Sequence, residues 1–134
     1  MTHLLLYSTV FLGRCFYIVG SGLSWTDPSN RVWRYNLVTH TLQEMSPMQK
    51  PRALMIVAYM GHIYAVGGRY GSKDLRSAEA YDPVTNTWYD VPEMVHRHSN
   101  FDIAVMNKQI FVVSCSSRII VEDISTFLFG FTSQ

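Results

Sequence analysis

Apolar positions along this chain come in short runs rich in Val, Ile, Tyr and Trp. Gly, Pro, Asn and Asp cut the runs apart, and none of them sustains a helical period. The central stretch predicts four strands, at Leu54–Met60, His62–Val66, Ser77–Tyr81 and Thr87–Val91. Gly61 is placed for a tight hairpin between the first two. The run Asp82-Pro83-Val84-Thr85-Asn86 reads as a turn, because Pro fixes φ and the Asp and Asn side chains bond nearby backbone. The apolar stretch from Leu4 to Gly20 is broken at Gly13-Arg14 and reads as two adjacent strands. Its unbroken part is too short to span a bilayer as a helix, so no membrane role is expected.

The pattern repeats. Cys15-Phe16-Tyr17-Ile18-Val19-Gly20, His62-Ile63-Tyr64-Ala65-Val66-Gly67 and Gln109-Ile110-Phe111-Val112-Val113-Ser114 superpose at steps of 47 residues. Tyr35 to Leu42 lies over Tyr81 to Trp88 at a step of 46, and Met48 recurs as Met94 at the same step. A period of this size, holding four short strands, is that of a propeller blade. Residues 1–48, 49–94 and 95–134 are expected to form successive units, the last of them partial. A propeller closes with about 4 to 8 blades. The expected fold is therefore an all-β, incomplete propeller of about two to three four-stranded antiparallel blades. It would be a fragment or truncated form of a longer protein, needing the remaining blades or another chain for closure. Apolar Phe127, Leu128, Phe129 and Phe131 near the end predict poor solubility or oligomers, which a sizing column would reveal.

At these residues the sequence resembles the Kelch repeat family, of the Kelch-like, BTB-Kelch type. The matching features are Ile63-Tyr64-Ala65-Val66-Gly67-Gly68, Ala80-Tyr81-Asp82-Pro83, Thr87-Trp88, Pro92, Met94 and the entry pair Pro51-Arg52. The first unit departs from the pattern, with Gly20-Ser21 for the double glycine and Leu42 for the tryptophan. The third has Ser114-Cys115 in place of the glycines. The resemblance implies a protein-interaction module, and two partner classes. One is a substrate protein presented to a cullin ubiquitin ligase by a BTB-Kelch adaptor; the other is actin, bound by a cytoskeletal Kelch protein. Some Kelch-fold proteins are copper oxidases, but their paired tyrosines, crosslinked cysteine and histidines cannot be assigned here.

Composition narrows this little further. In 134 residues, 48% are hydrophobic and 16% charged, which favours a packed core over a disordered segment. Eleven Lys and Arg face ten Asp and Glu without a basic block, so no nucleic-acid partner is expected. Two cysteines, Cys15 and Cys115, and no Asn-x-Ser/Thr site suit a reducing, cytoplasmic setting. Both thiols are expected to be buried and inert, at related positions of the second strands. His96 and His98 alternate in sequence, but two ligands make no zinc site, so no metal or cofactor is expected. No convergent catalytic set stands out, and no enzymatic activity is expected.

Function in such a scaffold is expected in the connecting loops. The longest and most polar follow the glycines, at Ser21 to Arg31 and Arg69 to Arg76. Arg and aromatic side chains are favoured contact anchors, so Trp25, Arg31, Arg69, Tyr70, Lys73 and Arg76 are the candidate partner-binding residues. The turns around Leu54 and Asn100 are expected on the same face.

Overall fold

A computed structural model describes residues 6–22, 29–51, 53–70, 73–74, 76–92, 101–115 and 119–123. Every regular element among them is a β-strand, and they form three separate antiparallel sheets. Sheet 1 runs β1 (Leu6–Leu12), β2 (Cys15–Gly22), β3 (Val32–Asn36) and β4 (Thr41–Met45) in that order. Sheet 2 runs β5 (Ala53–Tyr59), β6 (His62–Tyr70), β8 (Ala78–Asp82) and β9 (Thr87–Val91), with the short β7 (Lys73–Asp74) paired to the end of β6. Sheet 3 runs β10 (Phe101–Met106), β11 (Gln109–Cys115) and β12 (Ile119–Asp123). The chain is an all-β partial propeller. Tyr17, Tyr64 and Phe111 take the same register in their sheets, opposite Val10, Val57 and Ala104.

Alternation along the second strands builds the core. In β6, Ile63 and Ala65 point to sheet 1, whereas Tyr64 and Val66 point to sheet 3. Between sheets 1 and 2 lie Tyr17, Val19, Val32, Met48, Ile63, Ala65, Tyr81 and Trp88. Between sheets 2 and 3 lie Tyr64, Val66, Ala78, Ala80, Ile110 and Val112. Sheet 2 is thus covered on both sides.

The turns follow residue chemistry. Asn36 Oδ1 accepts the N–H groups of Val38 (2.8 Å) and Thr39 (3.2 Å), and Asp82 Oδ1 accepts that of Val84 (2.9 Å). Both turns place a left-handed residue just before the next strand, His40 at φ 56° and Asn86 at φ 55°. Each is then closed by a 2.7 Å hydroxyl pair, Thr39 with Thr41 and Thr85 with Thr87. The hairpin turns differ more. Met60-Gly61 and Asn107-Lys108 are left-handed at both positions, as a type I′ turn requires. Lys108, at φ 59°, carries a side chain in a region that suits glycine. Lys108→Gly is therefore expected to raise stability by about 0.5 kcal/mol, visible as a small rise in the thermal midpoint. A drop would mean that the turn has another geometry in solution.

Three expectations need correction. The double glycine does not end a strand. Gly67 (φ 60°) and Gly68 (φ 88°) form a bulge instead, since three residues of β6 span the interval that two residues of β5 cover between the Met55–Val66 and Ala53–Arg69 pairs. Sheet 1 has the same irregularity at Gly20 (φ 71°), and sheet 3, with Ser114 there, has a continuous register. Leu54 lies inside β5, not in a turn. Finally, Cys15 opens β2 whereas Cys115 closes β11, so the two sit at opposite ends of equivalent strands. Cys15 is a free thiol and only half-buried.

Candidate functional site

Strand order divides each sheet into two ends. One end carries the tight turns at residues 13–14, 37–40, 60–61, 83–86 and 107–108. The opposite end carries the longer connections that follow β2 and β6, together with the segment 46–51 between sheets 1 and 2. Hydrogen bonds tie these connections to one another. Met48 donates its N–H to Asn30 O (2.8 Å), and Asn30 Nδ2 donates back to Met48 O (3.0 Å). The next two residues reach sheet 2: the N–H groups of Gln49 and Lys50 donate to the Glu79 carboxylate at 2.8 and 3.1 Å. Glu79 is fully buried at the start of β8, beside the connection that ends in Arg76 and Ser77. The bulges contribute as well. Gly20 N–H donates to Arg31 O and Gly67 N–H to Ser77 O, both at 2.9 Å, closing the two connections in the same way.

The outer part of the same segment is pinned by aromatic chemistry. Trp88 Nε1 donates to Ser46 O (2.9 Å), and Gln49 Nε2 donates to Trp88 O (3.0 Å). Asn86 Oδ1 accepts both the Tyr81 hydroxyl (2.6 Å) and the Ser46 N–H (3.1 Å). Burial, reinforced by the neighbouring Tyr17, pushes the Tyr81 phenol up to about 12, so it remains a donor. The segment is thus a hydrogen-bonded strap that joins Asn30, before β3, to Glu79 in β8.

Five of the six candidate residues fall at this end; Trp25 lies outside the described residues. Arg31 precedes β3 and is exposed. Its Nε and Nη2 donate to the two Glu44 oxygens at 2.7 and 3.1 Å, and its guanidinium lies 5.1 Å from the centre of the Trp33 ring. The bond from Arg31 holds the Glu44 carboxyl below the usual carboxylate range. Arg69 and Tyr70 belong to β6, and Lys73 to β7, so this stretch is a narrow ribbon with Arg69 opposite Asp74 and Tyr70 opposite Lys73. The expectation of an irregular loop from Arg69 onward is corrected here: the glycine bulge lets the strand continue. Arg76 follows the ribbon and is half-buried. Asn100, His96 and His98 lie outside the described residues.

Sequence reading missed the organising role of Asn30, Met48 and Glu79. The one available signal was the carboxylate in Ala78-Glu79-Ala80-Tyr81, a charge inside an otherwise apolar strand. Such a group is buried only when hydrogen bonds satisfy it. Among the described residues, no group of three or more His, Cys, Asp or Glu is arranged to hold a metal ion. None of them forms a helix long and apolar enough to cross a membrane.

Comparison with known proteins agrees with the architecture. The Kelch motif matches residues 56–95, which contain most of sheet 2. An F-box/kelch-repeat protein of Arabidopsis thaliana is 37% identical over 83 residues, covering 58% of this chain and 17% of its own. Kelch-like protein 35 of Mus musculus is 30% identical over 108 residues, covering 80% of this chain and 18% of its own. The Kelch repeat and BTB domain-containing protein 2 of cowpox virus (strain Brighton Red) is 28% identical over 117 residues, covering 86% and 21%. The chain therefore spans about a fifth of the length of these relatives. Among solved structures, a fungal alcohol oxidase of the AA5 family in complex with copper superposes with a TM-score of 0.68 at 16% identity, over 78% of this chain and 26% of the oxidase, a likeness of fold alone. Repeated four-stranded sheets, glycine bulges and the motif match together place this chain in the Kelch repeat family.

Proposed function

We propose that the chain is a non-catalytic protein-interaction module, and that it forms part of the substrate-recognition face of a BTB-Kelch adaptor of a cullin ubiquitin ligase, working in the cytoplasm. The observation that carries this reading is the strap from Ser46 to Lys50. It ties Asn30, beside Arg31, to Glu79 in β8 at the end of the sheets where Arg69 and Arg76 also lie, while the sheet faces between neighbours are used up by packing. Recognition residues in repeat scaffolds sit on such rigidly held connections. The names of several relatives, which pair Kelch repeats with a BTB domain, support the adaptor reading.

The experiment is co-purification of the parent protein from cells, with and without Arg69→Ala, Tyr70→Ala and Arg76→Ala combined. Cullin subunits and a substrate protein are expected with the unaltered form. The triple variant is expected to lose substrate capture by about tenfold or more, since Arg and Tyr are frequent contact anchors. Its thermal midpoint should stay within a few degrees. Unchanged capture would remove this surface from the reading, and recovery of actin filaments in place of cullin subunits would favour a cytoskeletal role.

A further inference from the structure

The junction between sheets 1 and 2 contains an arginine that the stacking of sheets does not require. Arg34 lies opposite Tyr17 of β2 and Gln43 of β4, and the three side chains share the face of sheet 1 that packs on sheet 2. A step of 46 residues puts Ala80 at the same place in sheet 2, where the row reads Tyr64, Ala80, Tyr89. Ala80 is fully buried and closes its junction without a charge.

The groups that meet Arg34 are neutral. Its Nη2 donates to Gln43 Oε1 at 2.8 Å, and its guanidinium bonds the Tyr17 hydroxyl. The Tyr81 ring, 5.8 Å from that of Tyr17, brings a second phenol into the field of the cation. Burial pushes both phenols above their ordinary range in spite of the arginine, so neither is an anion that balances it. Among the described residues no carboxylate pairs with Arg34. Both Glu44 oxygens are taken by Arg31, and Asp82 faces the Val84 N–H and His62. A half-buried cation with only neutral partners is costly until an anion joins it. The same groups leave donors over. Gln43 accepts through Oε1, so its exposed Nε2 donates elsewhere. Tyr17 accepts from Arg34, which leaves its own O–H to give, although the residue is only 3% exposed. Asn86 Oδ1 is occupied by the Tyr81 hydroxyl and the Ser46 N–H, so its amide also turns a donor to this edge.

We propose that Arg34, Tyr17 and Gln43 bind a phosphate group, as the free ion or as a phosphomonoester, at the outer edge of the junction between sheets 1 and 2. A fixed positive charge surrounded by N–H and O–H donors, with every nearby acceptor already engaged, is the chemistry that recognises an oxyanion. Arg34 supplies the charge and a planar fork of donors. Tyr17 and Gln43 add donors from other directions, which suit a tetrahedral group with more oxygens than a carboxylate offers. The row lies within β2, β3 and β4, apart from the long connections that hold Arg69 to Arg76, so this site and the recognition surface stand independently.

The test follows the Arg34 Nε–H and Gln43 side-chain amide signals of the purified, nitrogen-labelled chain by magnetic resonance. Inorganic phosphate and O-phosphoserine are titrated separately at constant ionic strength. Both signals should shift and saturate at millimolar concentration. Tighter binding of O-phosphoserine would identify a phosphorylated group as the source, and equal or tighter binding of inorganic phosphate the free ion; either supports the site. Acetate and chloride at the same ionic strength should move the signals little. R34Q should weaken binding by roughly tenfold or more, read from the Gln43 amide, because it removes the charge. Y17F keeps the buried ring and loses one donor, so it should weaken binding by about threefold to tenfold. K108A removes an exposed cation from a turn of sheet 3 and should leave the affinity unchanged. Circular dichroism checks that the strands of each variant persist. The proposal is overturned if tens of millimolar phosphate give no saturating shift, or if acetate binds as tightly as phosphate. It is overturned equally if folded R34Q keeps the affinity, or if K108A weakens it as much as R34Q, which would mean a diffuse attraction to positive charge.

Discussion

Trp88→Ala is expected to destabilise the chain by about 3–5 kcal/mol, read as a lower midpoint in urea denaturation. Trp88 fills the junction between sheets 1 and 2, with its ring centre 5.0 Å from that of Tyr81 and tilted by 42°. Its indole N–H satisfies the carbonyl of Ser46. Alanine removes the ring, leaves a cavity beside Met48 and Tyr81, and orphans a backbone acceptor. Trp88→Phe separates these effects. It keeps most of the volume and loses the hydrogen bond, so it should cost about 1–2 kcal/mol. A cost below about 1 kcal/mol for the alanine variant would mean that sheets 1 and 2 do not pack this way in solution.

Glu79→Ala is expected to cost about 3 kcal/mol in the same measurement. The carboxylate is fully buried and receives the N–H groups of Gln49 and Lys50. Hydrogen bonds to a charged acceptor contribute more than neutral ones, and removing the acceptor leaves two donors without it. Glu79→Gln keeps one acceptor oxygen but turns an amide N–H₂ toward a donor, so roughly half of the loss should remain. Amide hydrogen exchange gives a local readout: Gln49 and Lys50 should exchange faster in the alanine variant, while amides within β11 should change little. Slow exchange at both residues would show that the strap is held by something else. Because Trp88 and Glu79 grip the same five-residue strap, their combined loss should be smaller than the sum of the two.

Much of the architecture was legible in the sequence because its signals are local. The steps of 46 and 47 residues, the period-2 alternation and the turn residues each act over a few positions, and strands and turns formed where those residues stand. Asn36 and Asp82 show how directly this works, since each side chain caps the turn in which it sits. The candidate site was less legible. Arg31 was selected as a loop anchor for a partner, yet it pairs with Glu44 of β4, which only sheet pairing brings near. The ribbon at β7 was missed because two residues of strand carry no periodicity of their own. The third strand of sheet 3 carries little signal of its own, because it ends on Glu122 and Asp123, charges that a reader of sequence takes for a connection.

By itself, the sequence determined that the chain builds repeated antiparallel sheets, roughly where the four strands of the central unit lie, and which aromatic residues recur. Those properties follow from steric preference and alternation, which act between near neighbours in the chain. Tertiary structure alone decided which face of each sheet packs on which neighbour. It also decided that Gly20 and the Gly67-Gly68 pair bulge a strand rather than end it, and that the buried Glu79 carboxylate anchors the strap 29 and 30 residues before it. Burial and hydrogen bonding between distant segments depend on how sheets stack, and no local pattern encodes that distance.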